Sequence, residues 1–255
     1  MLVNVKKNTI TFIFFVILLT FNLFTSCKSI PSYEITKIEG KKIGISTDYG
    51  ENDSISNYVA PFRNHINKDL NNVLAYCPVT QDKSIGKWQT NIGNLLAEIT
   101  FELGNPIFQK KENKNLDMCL LNHGGIRAMI PKGNVTSRTA FEVMPFENRL
   151  IIVGLKGSEI RTLAEYLIKE SKPHPLYGIT LFLEKNTYKI NKIEINNKPI
   201  EDDRIYYVAT SDYLANGGDN MTFFKNSNLQ FDMEYKLRNL LIGLCFIGYR
   251  SSLLF

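Results

Sequence analysis

An α+β domain, one mixed sheet with flanking helices, is the fold this sequence predicts. Amphipathic helical runs alternate with β-type segments irregularly, without the strict βαβ succession of a doubly wound parallel sheet. Three β segments, 179–183, 188–195 and 204–210, follow one another through turn-rich stretches such as Asn196-Asn197-Lys198-Pro199. At 255 residues, 44% hydrophobic and 22% charged, and without internal repeats, the chain can bury one sizeable core.

The N-terminus is read apart from this domain. Lys6 and Lys7 precede an apolar run from Ile10 to Phe24 that ends in Thr25-Ser26-Cys27. This is the layout of a secretion signal over residues 1–26, and small residues before a cysteine resemble a bacterial lipoprotein cleavage site. Cys27 would then carry lipid and hold the chain in the cell envelope, on the outer membrane or the periplasmic face. The other reading is an uncleaved anchor with Cys27 incidental. Residues 27–39 form a tether, 40–245 the domain and 246–255 an apolar tail.

Removing Lys6 and Lys7 takes 30 basic residues to 28 against 25 acidic ones, so a net charge of +5 becomes +3. The basic residues are dispersed among acids and asparagines instead of forming a stripe with interleaved aromatics, which argues against a nucleic acid polymer as partner. Cys77, Cys119 and Cys245 show no short metal-type spacing; one disulfide stays open, but Cys119 lies in an apolar run and reads as a small core residue.

Within the domain, Asp53-Ser54 offers an N-cap to a helical run carrying Ile55, Val59, Phe62, Ile66, Leu70, Val73 and Leu74, with a kink or a true helix start at Pro61. A second helix runs from Asn91 through Leu95, Leu96, Ile99 and Leu103 to the stop signal Gly104-Asn105-Pro106. A short buried strand over 118–121 and a brief helix over 136–143, ended by Pro145, come next. A strand over 149–155 leads through Lys156-Gly157-Ser158 into a helix bearing Ile160, Leu163, Ala164 and Leu167, and a last helix is expected from Asp232 with Met233, Leu237, Leu240, Leu241 and Leu244 on one side.

Two segments share a design. Val208 to Asp219 runs a β-type stretch into an aromatic, an amide, two glycines and a carboxylate; Leu120 to Arg127 runs an apolar stretch into an amide, a glycine pair and a guanidinium. Two polar corners of opposite charge suggest one ligand between them. With Met144-Pro145-Phe146-Glu147-Asn148 between, and with the helix entrance Asn91 to Leu95, these motifs closely resemble the C-terminal domain of 5′-nucleotidases over about residues 40–245.

The resemblance implies a substrate-recognition domain for nucleotides or nucleosides in which Phe146 and Tyr213 clamp the base. A stacked aromatic face contributes about 1–3 kcal/mol with little preference among bases. Asn122 and Arg127 would meet the base, the sugar or the anionic part, the guanidinium fork suiting phosphate. Asp219 would accept from ribose hydroxyls, Asn216, Gly217 and Gly218 would shape the turn that presents it, and Gly124 and Gly125 would let backbone approach closely.

Tyr213 stands where the family's phenylalanine is expected, keeping the stacking face and gaining a hydroxyl that needs a partner. The arginine that the family places ahead of the Asn91 helix is missing; Lys83 or Lys87 would substitute as a point charge. His123 reads as a turn residue.

In this family, hydrolysis belongs to a separate N-terminal domain whose two metals activate water. Here His65, His123 and His174 are the three histidines and are scattered, and there is neither a phosphate loop nor a Gly-x-Ser-x-Gly elbow. No catalytic residue or metal ligand is therefore expected in this chain, and divalent metals belong on a separately encoded metallophosphoesterase partner. The alternatives are a stand-alone nucleoside- or nucleotide-binding envelope lipoprotein without catalysis, and a surface protein that kept the fold and lost its ligand.

Overall fold

The computed structural model describes residues 2–23 and 33–247. The chain divides into two units, Met1–Asn52 and Asp53–Phe255. In the first, the described residues form α1 (Leu2–Leu23), chain without regular secondary structure over 33–46 and a 3-10 turn at Thr47–Tyr49. Among the described residues no helix is long and apolar enough to cross a membrane. Cys27 and the tail beyond Ile247 lie outside the described residues.

The second unit runs in the order α2 (Asp53–Leu70), β1 (Val73–Cys77), α3 (Asn91–Glu112), β2 (Met118–Leu120), β3 (Gly133–Thr136), α4 (Ser137–Val143), β4 (Arg149–Lys156) and α5 (Gly157–Glu170). Then come β5 (Leu176–Tyr177), β6 (Ile179–Leu183), β7 (Ile190–Ile195), β8 (Lys198–Pro199), β9 (Ile205–Ser211), α6 (Asp212–Ala215), β10 (Gln230–Lys236) and α7 (Leu237–Ile247). The main sheet has the order β10-β4-β9-β2-β5, with β2 and β9 parallel and the other neighbours antiparallel. It is mixed, as the sequence leads one to expect. β6, β7 and β8 form a second sheet, and β1 pairs with β3.

The main sheet is buried on both faces, which is why β4 reads as an unbroken apolar run from Leu150 to Leu155. Alternate residues separate by face. Leu150 and Ile152 join Cys119 and Leu121 in a core closed by α3 and α7, through Ile92, Leu96, Leu237 and Leu240. Ile151, Val153 and Leu155 join Met118 and Leu120 against α5, through Ile160, Leu163 and Leu167. Cys77 and Cys119 are free and buried; desolvation raises both thiol pKa values, which suits the core role read for Cys119.

Several boundaries differ from the sequence reading. α2 continues through Pro61 and ends at Leu70, so Val73 and Leu74 belong to β1. No α2 residue is buried, so water can take the place of the N–H that proline lacks. α3 ignores the stop signal Gly104-Asn105-Pro106 and extends to Glu112. Tertiary packing decides this: Phe108 is fully buried, its ring 5.3 Å from that of Tyr207 and 5.5 Å from that of Phe231. The helix closes instead on Asn113, in the left-handed conformation at φ 54°.

At the C-terminal end, the expected helix from Asp232 is first a strand. Phe231, Met233 and Tyr235 alternate inward, and residues 230–232 pair with β4 before the helix starts at Leu237. Met233 fits both periodicities, and pairing with the open edge of β4 selected the extended form.

His174, between α5 and β5, is a buried imidazole whose Nδ1 accepts the backbone N–H of His123 at 3.3 Å. That bond fixes the proton of the neutral ring on Nε2, which is buried without a partner. Desolvation lowers the pKa of His174, with His123 and Lys172 lowering it and Asp219 and Glu170 opposing. Burial also lowers the pKa of His123.

Phe108→Ala is expected to cost about 3–5 kcal/mol in urea unfolding, because it opens a cavity between α3 and the sheet. The unfolded histidines titrate near pH ~6.5 and the folded ones below it, so stability is full above that pH and declines as pH falls through the folded values. Urea unfolding between pH 5 and 7 should show this decline, and His174→Asn should flatten it.

Candidate functional site

The sheet brings distant motifs to one edge. β2 runs parallel to β9 with Cys119 opposite Ala209, so both strands end on the same side. β4 runs antiparallel to β9 with Leu150 opposite Ser211, so its beginning lies there too. Asn122 follows β2, Tyr213 to Asp219 follow β9, and Phe146 to Asn148 lead into β4. The open ends of a sheet, where strands hand over to turns, commonly carry ligand sites.

At the first corner, Asn122 precedes a 3-10 turn at His123–Gly125. A Cβ on Gly125 would fall 2.7 Å from Asn122 Oδ1, so glycine here lets the amide lie flat over the turn. Asn122 Nδ2 donates to Asp219 Oδ2 at 2.9 Å, tying the two corners together. Arg127 is exposed, and its Nη1 donates to Gly124 O at 3.3 Å. Its guanidinium carbon lies 5.9 Å from the centre of the Phe146 ring.

At the second corner, Tyr213 stands in the short helix α6, capped by Ser211, whose hydroxyl accepts from Leu214 N. Its hydroxyl donates to Asp219 Oδ1 at 2.9 Å and accepts from the Asp219 backbone N–H at 3.2 Å. The ring lies on Gly218: a Cβ there would come under 3.0 Å from three ring carbons. Gly217 and Asp219 are left-handed, at φ 83° and 51°, and the Tyr166 hydroxyl holds the Asp219 carbonyl at 2.6 Å. Asn216 belongs to this turn, its Nδ2 donating to Asp212 O at 2.8 Å.

Phe146 is 49% exposed and Tyr213 46%. The loop bearing Phe146 is clamped from beneath by Arg238, which is only 4% exposed. Its Nη1 donates to the carbonyls of Met144 and Phe146 at 3.1 and 3.4 Å, its Nη2 to the Glu147 carboxylate, and its guanidinium carbon sits 3.9 Å over the Phe141 ring. Leu237 N donates to Asn148 O at 3.0 Å. Hydrogen bonds from Arg238 and then Lys236 hold the Glu147 carboxyl down at about 2.

Tyr213, Asp212, Asn216, Gly217, Gly218 and Asn148 line a hollow of about 460 Å³. Phe146, Asn122, Gly125 and Asn148 line the narrow crevice beside it. The two rings thus stand on neighbouring hollows that share Asn148.

Of the two candidate lysines, the fold brings Lys83 to the site: its Nζ donates to Ile126 O at 2.5 Å, inside the Asn122 to Arg127 segment. Lys87 turns away, bonding the Tyr188 hydroxyl at 2.7 Å and lying over that ring. Trp88 lines another hollow, of about 360 Å³, with α5 and β6. Among the described residues no group of three or more His, Cys, Asp or Glu side chains is placed to hold a metal ion.

Three contributors escape sequence reasoning. Asn148 belongs to a recognised motif that by itself assigns it no role, and its place on both hollows gives it one. Tyr166 and Arg238 sit on helices as ordinary periodic residues, and only the fold brings them under Asp219 and Phe146.

Comparison with known proteins places the domain in a family. The family model of the 5′-nucleotidase C-terminal domain matches residues 73–226. The trifunctional nucleotide phosphoesterase YfkN of Bacillus subtilis is 25% identical over 72% of this chain, and the NAD 5′-nucleotidase of Haemophilus influenzae 32% identical over 44%. The chain spans 13% and 22% of their respective lengths. The crystal structure of a 5′-nucleotidase precursor from Thermus thermophilus superposes with a TM-score of 0.61 at 23% identity, over 76% of this chain and 39% of that one. With residues 73–226 matched and the same fold found, this chain belongs to the 5′-nucleotidase C-terminal domain family.

Proposed function

We propose that this chain is the nucleotide-recognition half of a 5′-nucleotidase-type phosphoester hydrolase, acting with a separately encoded metallophosphoesterase that carries the divalent metals. The observation that supports this best is the Tyr213 ring, backed by Gly218 and half exposed beside a hollow of about 460 Å³. A base stacked on the ring would set its sugar toward Asp219 and Asn122, which are hydrogen-bonded to each other. Phe146 would supply a second apolar face, and the exposed Arg127 beside it is the cation suited to phosphate. Lys83, bonded to the carbonyl just before Arg127, would take the place of the family's other arginine.

The chain spans 13–31% of the length of these relatives, and their names describe nucleotide phosphoesterases and 5′-nucleotidases. Chemistry on a second polypeptide would complete the same reaction. Lipid on Cys27 would keep the recognition half at the envelope, where a partner meets it at high effective concentration.

The test is phosphate release from AMP with divalent metal, measured with this protein alone, with candidate metallophosphoesterases alone, and with both together. A rate that rises only in the mixture is the expected result; AMP hydrolysis at enzymatic rates by this chain alone would overturn the split. AMP binding that no metallophosphoesterase converts into phosphate release would instead identify a stand-alone binding protein. Tyr213→Ala is expected to weaken AMP binding by about 1–3 kcal/mol, roughly five- to 150-fold, read by calorimetry.

A further inference from the structure

Both oxygens of Asp219 are engaged by the protein itself. Asn122 Nδ2 donates to Oδ2 and the Tyr213 hydroxyl to Oδ1, each at 2.9 Å. The Tyr213 hydroxyl also takes the Asp219 N–H at 3.2 Å, so hydroxyl, carboxylate and backbone close a ring. The residue is held from behind as well, since Tyr166 bonds its carbonyl at 2.6 Å and its backbone is left-handed at φ 51°. The carboxylate therefore cannot turn toward a ligand without breaking both bonds, although each oxygen keeps room for one further donor.

A sugar cis-diol read by a carboxylate needs both oxygens as strong acceptors. Here each already carries one donor, and a further donor meets a charge partly spent on the first. Displacing the Tyr213 hydroxyl also frees the ring that lies on Gly218, loosening the face that would stack on the base. Reading the sugar and holding the platform oppose each other in this chain. A phenylalanine at the same position would leave Oδ1 open and the two tasks independent.

We propose that the Tyr213 hydroxyl is a specificity-determining group that trades recognition of the sugar hydroxyls for a locked aromatic platform, so that the site accepts ribo- and deoxyribonucleotides alike. This inference rests on the nucleotide reading above and sharpens its substrate class to nucleoside monophosphates irrespective of the sugar diol.

The experiment compares AMP, 2′-deoxy-AMP and 3′-deoxy-AMP as ligands of the full protein and of its Tyr213→Phe variant by calorimetry, with thermal unfolding as a check on folding. The unmodified protein is expected to bind the three within about threefold, and Tyr213→Phe to favour AMP over either deoxy form by about tenfold, the worth of a hydrogen bond to a charged acceptor. Asp219→Asn in the Tyr213→Phe background should erase that preference. The proposal is overturned if the unmodified protein already favours AMP tenfold, or if Tyr213→Phe leaves the ratios unchanged while AMP still binds. If neither form binds any of the three ligands, the nucleotide reading itself fails and this inference with it.

Discussion

The parallel pairing of β2 with β9 is the contact on which the rest of the site depends. Leaving the sheet side by side in the same direction, the two strands deliver Asn122 and Asp219, 97 positions apart, to within a hydrogen bond. Parallel neighbours cannot be joined by a tight hairpin, so the intervening chain must return over the sheet, and it does so through α5 and β7. Side chains reinforce the pairing. The Thr210 hydroxyl donates to Leu120 O at 2.8 Å, and Asp117 accepts from Tyr207 N at 2.8 Å while giving its own N–H to Tyr207 O at 2.9 Å. Desolvation raises the pKa of Asp117, and the bond from Tyr207 and the charge of Arg204 oppose that shift.

With the strand ends fixed, the site is built from held parts. Tyr213 is fixed at its hydroxyl and at the face it lays on Gly218, Asp219 at its carboxylate and its carbonyl, and Phe146 through a backbone gripped by Arg238 and Leu237. Side chains ordered before a ligand arrives lose less freedom when it binds, which raises affinity without adding a contact. The Arg127 guanidinium is the looser element, held by one bond of 3.3 Å to its own turn, while the Arg127 backbone N–H donates to Val143 O at 2.8 Å. Firmly held rings with a less anchored guanidinium suit a ligand that has a flat body and an anionic end.

Much of this was legible in the sequence where local signals and tertiary packing agree. The glycine pairs at 124–125 and 217–218 mark both corners, the two-sided burial of β4 shows as a continuous apolar run, and 179–183 is a strand as read. Legibility failed where packing overrode a local rule. Gly104 and Pro106 signal a helix end that the buried ring of Phe108 overrides, and Met233 fits a helical and a strand pattern equally until an unpaired sheet edge chooses between them. It failed again for residues that act through space: nothing near Arg238 in the chain points to Phe146, 92 positions earlier. Lys83 and Lys87 are equivalent in sequence, and the fold separates them through the partners it offers, a loop carbonyl for one and an aromatic hydroxyl for the other.

The clamp beneath Phe146 also sets how short the chain can be made. The segment shared with the family stops at residue 226, yet β10 and α7 lie beyond it. A fragment trimmed at that boundary would bare the outer backbone of β4 and the apolar side of α3 together, and would free the 144–148 loop from its only buried cation among the described residues. An unpaired, largely apolar strand invites β-addition from other copies. The working length of this domain therefore exceeds its recognisable length, and expression of the recognisable part alone would favour inclusion bodies over a folded binder.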